Sequence, residues 1–251
     1  LRSCRRRPKA PTPATPPALA ARERLIARSA DSAAGTGART LIELGSGPSA
    51  KTRYLLDAMP DLDTYVPVDV SESALTQAGY ALMEERPGLN VHALIADFTT
   101  GLALPGTPGP RLLAFLGSTI GNFLPRERAT LLSSIRSLLS PGDALLLGAD
   151  LVKDERSLIA AYDDTDTGVT AAFNKNVLSV LNRELGADFD LDAFEHVVRW
   201  DAANEWIEMR LRSRTEQTVK VPALDLAVDF AAGEGLHTGI SAKFRQDGVR
   251  E

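Results

Sequence analysis

The chain has 251 residues, of which 44% are apolar and 24% charged, and its formal net charge is −5. This composition is typical of a globular protein with a sizeable core. The charge is uneven, because residues 1–17 hold five basic residues and no acidic one, which leaves 23 basic against 33 acidic residues in the remainder. An acidic body argues against nucleic acid as the main partner.

Cysteine content and hydropathy indicate the compartment. Cys4 is the only cysteine, so no disulfide can form within the chain, and a reducing compartment fits. No apolar run approaches the roughly 18 residues that a membrane-spanning helix needs. We therefore expect a cytoplasmic protein that has no membrane partner, and we expect it to be a monomer.

Residues 1–17 are basic and rich in proline, which predicts a disordered tail. A helical pattern follows over residues 18–34. From there to residue 150, short apolar segments alternate with helical patterns, and this alternation predicts an α/β fold with a doubly wound, mostly parallel sheet. The predicted strands cover residues 40–45, 64–70, 90–96, 111–116 and 144–147.

Three single residues mark local features of these elements. Ser49 and Ser71 precede apolar helical patterns, and each is expected to cap the helix that follows it. Pro67 lies inside the second predicted strand, although proline favours sheet edges and strand starts because it has no N–H to donate.

The pattern changes after residue 151. Helices are predicted over 155–162 and 169–185, followed by strand-like runs with short connections, which indicate an antiparallel sheet. These runs cover residues 196–200, 206–212, 218–221 and 226–230. We interpret 18–150 as a cofactor-binding domain, 151–236 as an inserted α+β substrate-binding lobe, and 237–251 as a return to the first domain.

A glycine loop after the first strand favours a nucleotide-like cofactor. Gly45-x-Gly47-x-x-Ala50 satisfies the dinucleotide fingerprint, and the backbone N–H groups of such a loop face an open ligand site. Asp69 lies 22 residues beyond Gly47, at a spacing that suits a ribose hydroxyl. On this spacing alone, a nicotinamide dehydrogenase and an S-adenosylmethionine (SAM) methyltransferase both remain possible.

The end of the third predicted strand favours SAM. Asp97 can accept the adenine amino group, and Phe98 can pack on the ring. Lys51, one turn into the helix after the glycine loop, is placed to pair with the carboxylate of the amino-acid part of SAM. Each feature alone is weak, since acids at strand ends are often helix caps; together they indicate a SAM site.

The exit of the fourth predicted strand is where the reacting groups are expected, because ligands lie beyond the carboxyl ends of parallel strands. Gly117 and Gly121 allow close backbone approach, and the amide of Asn122 can donate and accept. The alternative is a tight turn stabilised by Asn122. Tyr162 lies in a second polar cluster, where a half-buried packing role is the alternative. No metal-ligand spacing occurs among the histidines.

Six motifs together resemble the histidine-specific SAM-dependent methyltransferases. The likeness covers about residues 38–245, and the joint occurrence of the motifs is far more specific than a lone glycine loop. The motifs are Glu43-Leu-Gly-Ser-Gly47, Phe115-Leu-Gly-Ser-Thr-Ile-Gly-Asn122, Asp150-Leu-Val-Lys-Asp154, Ala161-Tyr-Asp-Asp164, Val169-Thr-Ala-Ala-Phe-Asn174 and Ala187-Asp-Phe-Asp190.

The resemblance implies a Rossmann-like class I fold and three methyl transfers from SAM to the α-amine of L-histidine, giving hercynine for ergothioneine biosynthesis. No catalytic residue is assigned, because alignment of the reactants would supply most of the rate. The residues implied to contact SAM are Gly45, Lys51, Asp69, Asp97 and Phe98. Those implied to contact histidine are Gly117, Asn122, Tyr162, Met209 and Ser241.

One position departs from the pattern of the family. Thr238-Gly-Ile-Ser241 has Gly239 where the family has a glutamate that binds the imidazole N–H. The missing charge-assisted hydrogen bond would be worth roughly 1.5–3 kcal/mol. The resemblance also implies terminal segments that this sequence does not match. Two alternatives follow: a SAM-binding homologue without turnover, or a methyltransferase of another amino acid.

Overall fold

The computed structural model describes residues 28–29, 31–47, 52–164 and 166–249. The tail predicted over 1–17 lies outside these residues, and so does most of the helix predicted over 18–34, of which the described residues 28–29 and 31–34 are helical. Among the described residues, no helix is both long and apolar enough to cross a bilayer.

A six-stranded parallel sheet and the helices around it form the first half of the molecule. The elements are β1 (Thr40–Leu44), α1 (Thr52–Ala58), β2 (Thr64–Asp69), α2 (Glu72–Glu85), β3 (Asn90–Val91), β4 (Leu94–Ile95), β5 (Arg111–Phe115), α3 (Pro125–Leu138) and β6 (Ala144–Leu147). The strand order is β3-β2-β1-β5-β6, with β4 also paired to β2. Helices connect the strands and cover both faces, which confirms the predicted doubly wound α/β class.

Alternation along the strands gives this sheet a hydrophobic core on each face. Tyr65 and Leu112 pack with residues of α1 and α2, whereas Val66 and Leu113 pack with residues of α3. All four side chains are at most 1% exposed. As predicted, Ser71 caps α2, with its hydroxyl accepting the backbone N–H of Ala74.

Pro67 explains why the third predicted strand is broken in two. The carbonyls of Tyr65 and Asp69 accept hydrogen bonds from His92 and Ala96, so the odd-numbered residues of β2 face β3 and β4. Pro67 faces the same side but has no N–H to donate. The strand predicted over 90–96 therefore pairs as two short pieces, on either side of the proline.

An α+β lobe follows β6, as the change of pattern predicts. Its elements are α4 (Glu155–Asp163), α5 (Val169–Leu185), β7 (Phe194–Asp201), β8 (Trp206–Ser213), β9 (Gln217–Val221), β10 (Leu226–Phe230) and β11 (Gly235–Ala242). The three-stranded antiparallel sheet has the order β11-β8-β7, and β9 and β10 form a separate hairpin. The rings of Phe189, Phe194 and Phe230 form the core of the lobe, with centroids 5.3–6.3 Å apart.

The chain returns from the lobe to the parallel sheet at Phe244. This residue forms a parallel bridge with Leu151 and packs into the core beside α3. The predicted end of the lobe at residue 236 falls inside β11, because β11 pairs with β8 as far as Ala242. The proposed division into domains otherwise stays a prediction.

A buried ion pair joins the starts of β5 and β6. The carboxylate of Asp143 accepts the Nε–H of Arg111 at 2.9 Å and the backbone N–H groups of Arg111 and Ser140 at 2.7 and 2.8 Å. Burial raises the pKa of Asp143, but the hydrogen bonds, led by that of the Arg111 side chain, outweigh this effect and hold the pKa below its usual value.

We expect Asp143→Asn to lower the free energy of unfolding by about 3 kcal/mol, because Arg111 would be left largely buried without its counter-charge.

The same ion pair makes stability depend on pH. Since the native pKa of Asp143 is depressed, its stabilisation is complete above the unfolded-state pKa of about 3.9 and is lost as pH falls through the lower native pKa. Urea denaturation at neutral and acid pH measures both effects. The control is exposed Asp61→Asn, and equal losses in the two variants would contradict the prediction.

Candidate active site

The residues predicted to contact a cofactor lie at one edge of the parallel sheet. Gly45 follows β1, Asp69 ends β2 and Phe98 follows β4, and these strands run in the same direction. Open α/β sheets bind their ligands at this carboxyl edge. The structure therefore brings the ends of three strands together where a ligand is expected.

The glycine turn and Asp69 are joined by hydrogen bonds. Gly45 and Gly47 have φ angles of +68° and +50°, which glycine adopts without strain. The N–H of Gly47 donates to Oδ2 of Asp69 at 2.9 Å, and the N–H of Ser71 donates to Oδ1 at 2.9 Å. Because a carboxylate offers about four acceptor positions, Asp69 is held in place and keeps lone pairs for a ligand donor.

Phe98 forms a wall beside the glycine turn. A Cβ atom placed on Gly45 would lie 3.9 Å from the Phe98 ring, and this ring packs edge-on against Phe115 with centroids 5.5 Å apart. Asp97 is exposed and accepts hydrogen bonds from the hydroxyl and the N–H of Thr99, which lower the pKa of its carboxyl. It is therefore ionised at neutral pH and can accept a further hydrogen bond.

Glu43 is a buried acid that the sequence reasoning left without a role. Its Oε2 accepts hydrogen bonds from the hydroxyls of Thr52, at 2.5 Å, and Tyr65, at 2.7 Å. The first of these bonds ties the start of α1 to β1, so Glu43 fixes the helix that follows the glycine loop. An acid between apolar strand residues is the sequence signal for such a role.

Part of the glycine loop lies outside the described residues. This part includes Lys51, predicted to contact the cofactor, and Ser49, the predicted cap of α1. Helix α1 begins at Thr52, directly after it. The predicted contact of Lys51 therefore stays a prediction.

The segment after β5 approaches the lobe very closely. Gly117 has a φ angle of +78°, and a short 3-10 helix follows over Thr119–Asn122. A Cβ atom on Gly121 would lie only 2.7 Å from the carbonyl oxygen of Ala242 in β11. The approach of Gly121 is thus to the backbone of β11, and it places exposed Asn122 beside the end of that strand.

The other predicted substrate contacts lie together in the lobe. Met209 of β8 pairs with Gly239 of β11, and Ser241 lies two residues further along β11, on the same face of the sheet. The hydroxyl oxygens of Tyr162 in α4 and Ser241 are 2.7 Å apart. The structure thus joins Tyr162 to Ser241 and places Met209 on the same face of the sheet as Ser241, although the three are widely separated in the sequence.

Lys243 completes this cluster and was missed by the sequence reasoning. Its ammonium donates to Oη of Tyr162 at 2.7 Å and to Oγ of Ser241 at 2.9 Å, and it lies 3.1 Å from Oδ2 of Asp150. Burial raises the pKa of Asp150, but hydrogen bonds from Lys153 and Lys243 outweigh it and lower the pKa overall. The available signal was strand alternation, which puts Lys243 on the same face as Ser241.

Tyr162 is also held through its backbone. The amide nitrogen of Asn174 donates to the carbonyl of Arg210 and lies 2.9 Å from Nδ1 of His196. Since an amide nitrogen only donates, Nδ1 accepts, and Nε2 of His196 donates to the carbonyl of Tyr162 at 3.0 Å. This contact fixes the end of α4 against β7.

Comparison with known proteins identifies the family. A family model described as histidine-specific methyltransferase, SAM-dependent, matches residues 19–251. The chain belongs to this family. Of the two cofactors that the glycine loop left open, the family uses SAM, and the nicotinamide alternative is excluded.

Named relatives support the assignment. The chain is 56% identical over 228 residues to histidine N-alpha-methyltransferase of Mycolicibacterium smegmatis, which covers 90% of this chain and 71% of the relative. It is 52% identical over 236 residues to the protein of the same name in Mycobacterium tuberculosis, covering 93% and 73%. It is 30% identical over 195 residues to ergothioneine biosynthesis protein 1 of Schizosaccharomyces pombe, covering 72% and 25%.

We expect Asp69→Asn to raise the Kd for SAM at least about tenfold, a loss of roughly 1.4 kcal/mol. The amide has one acceptor oxygen, so it cannot accept from both backbone N–H groups and also from a ribose hydroxyl. Isothermal titration calorimetry with SAM measures the change. Asp229→Asn, on the exposed β9–β10 hairpin, is the matched control, and equal Kd values for the two variants would refute the predicted role of Asp69.

Proposed function

We propose that this chain transfers methyl groups from SAM to the α-amine of L-histidine, in three steps that end at hercynine. Its membership of the histidine-specific family and the names of its bacterial relatives support this reaction. The observation on which the proposal chiefly rests is the contact between Tyr162 and Ser241, since it brings two predicted substrate contacts into one cluster.

Residues at the carboxyl edge of the sheet fit SAM. Gly45 leaves a gap beside Phe98 that a side chain would fill, and the fixed carboxylate of Asp69 keeps acceptor positions for ribose hydroxyls. Asp97 would accept from the adenine amino group, and Lys51 would pair with the carboxylate of SAM. When bound, SAM supplies an electrophilic methyl group on its sulfonium.

Residues from both parts of the molecule would hold histidine. Asn122 and the backbone at Gly117 come from the sheet edge, whereas Tyr162, Met209 and Ser241 come from the lobe. We propose that Asn122 and Tyr162 bind the α-carboxylate and amine end, that Ser241 reaches the imidazole, and that Met209 lines the side-chain pocket. The role of these residues is to hold the α-amine in line with the transferred methyl group, which can supply a large part of the rate enhancement.

Two alternatives rest on Gly239. Gly239 pairs with Met209, which is proposed to line the side-chain pocket. Because glycine has no side chain, Gly239 adds no polar group to the wall where the imidazole is expected. On the first alternative the chain binds SAM without turnover, and on the second it methylates another amino acid. Against these alternatives, we propose histidine as the small-molecule substrate. The monomeric state and the cytoplasmic location stay predictions.

Incubation of the purified chain with SAM and L-histidine tests the function. We expect mono-, di- and trimethylhistidine to appear in succession by mass spectrometry, because each product keeps the carboxylate and imidazole that hold it in the site. N-acetylhistidine, whose α-amine is blocked, is the control and should stay unmethylated. A protein that binds SAM in calorimetry but gives no methylated histidine would favour the alternatives.

We expect Gly239→Glu to tighten histidine binding roughly tenfold to a hundredfold, through a charge-assisted hydrogen bond to the imidazole N–H. The site has room, since a Cβ atom on Gly239 would make an ordinary 3.5 Å contact with the methyl group of Met209. The measurement is calorimetry with S-adenosylhomocysteine present.

The matched control for this substitution is His237→Glu. It adds the same carboxylate to β11, but at an exposed position that pairs with Arg210. An equal effect of both variants would mean that the added charge acts at long range. No gain with Gly239→Glu would mean that the imidazole does not lie against Gly239.

A further inference from the structure

Lys243 is a buried cation whose three hydrogens all have acceptors. Its side chain is 0% exposed, and its Nζ lies 2.7 Å from Oη of Tyr162, 2.9 Å from Oγ of Ser241 and 3.1 Å from Oδ2 of Asp150. Its Nζ also lies 4.6 Å from the centre of the Tyr162 ring. An ammonium has three N–H donors and no acceptor, so these three oxygens satisfy all of its donors.

This arrangement fixes the direction of the hydrogen bonds in the cluster. Both hydroxyl oxygens accept from Lys243, and each hydroxyl has one hydrogen of its own. One hydroxyl donates to the other across the 2.7 Å contact between Tyr162 and Ser241. The hydroxyl that accepts in this contact keeps its own hydrogen, so the pair can donate one O–H hydrogen bond to a ligand.

We propose that Lys243 is a positioning residue that makes the Tyr162–Ser241 pair a hydrogen-bond donor to an acceptor group of the amino-acid substrate. The acceptor is either a carboxylate or an unprotonated ring nitrogen. The inference rests on the proposed function, because it takes the pair to be part of the histidine site. The positive charge of Lys243 would also repel a cationic group of the ligand beside the two hydroxyls. The α-amine is therefore expected nearer to Asn122.

Asp150 anchors Lys243 to the parallel sheet. It follows β6, its backbone N–H donates to Oγ of Ser118 at 2.9 Å, and its carbonyl accepts the N–H of Phe244 at 2.9 Å. Its other carboxylate oxygen accepts from Lys153 at 2.6 Å. Lys153 is more than half exposed, so Asp150 has one ion pair in the cluster and one at the surface.

Lys243→Met tests the proposal, since it keeps the length of the side chain and removes the donors. We expect the Kd for histidine, measured by calorimetry with S-adenosylhomocysteine bound, to rise roughly tenfold to a hundredfold. The Kd for SAM should change less than about twofold, because Lys243 lies in the lobe cluster. Lys153→Met is the matched control: it removes the other ion pair of Asp150, and its histidine affinity should match wild type.

A double-mutant cycle separates positioning from a general structural role. If Lys243 acts through the hydroxyl pair, Tyr162→Phe with Lys243→Met should bind histidine within about twofold of the weaker single variant. Fully additive losses would overturn the proposal. Should Lys243→Met fail to fold, Asp150→Asn, which removes only the anchoring charge, should raise the Kd for histidine in the same direction.

Histidine binding and methylation by the wild-type protein show whether a failed prediction concerns the role of Lys243 or the proposed function. Methylation of histidine by wild type, together with unchanged histidine affinity in Lys243→Met or in Asp150→Asn, overturns the role of Lys243 and leaves the function intact. Absence of histidine binding and methylation in wild type overturns the proposed function itself.

Discussion

The two halves of the molecule meet where the backbone of Gly121 lies against that of Ala242. A Cβ atom at Gly121 would approach a carbonyl oxygen to 2.7 Å, so a larger residue would force the helix after β5 away from β11. The next residue after Gly121 is Asn122, and the residue before Ala242 is Ser241. The distance between the segment that carries Asn122 and the strand that carries Ser241 therefore depends on the absence of a side chain at Gly121.

Two buried ionisable residues, Glu43 and Lys243, tie together elements in the two halves of the molecule. Burying such a group is costly unless hydrogen bonds replace water, and each of these residues makes at least two. Glu43 ties the start of α1 to β1 beside the proposed SAM site. Lys243 joins β11, α4 and the end of β6 beside the proposed histidine site. These hydrogen bonds form without a ligand, and groups that are held in place before binding lose less entropy when a ligand binds.

Apolar runs and turn residues predicted four of the parallel strands, the lobe helices and the order of the two halves. The third strand was predicted as continuous, because its own residues carry no sign of the hydrogen bond that Pro67 of β2 cannot donate to it. Strand β11 was not predicted, because Gly235 and Gly239 weaken its strand pattern. The roles of Glu43 and Lys243 depend on partners far away in the sequence, and no local pattern contains that information.

The chain leaves the parallel sheet and rejoins it at adjacent points. The N–H of Phe244 donates to the carbonyl of Asp150 at 2.9 Å, and the carbonyl of Phe244 accepts the N–H of Val152 at 3.0 Å. The entropy of closing a segment whose ends already meet grows only slowly with its length. Evolution can therefore lengthen, shorten or exchange the inserted segment while the sheet keeps its topology. If the lobe holds the methyl acceptor as proposed, its residues can diverge separately from those proposed to hold SAM at the sheet edge.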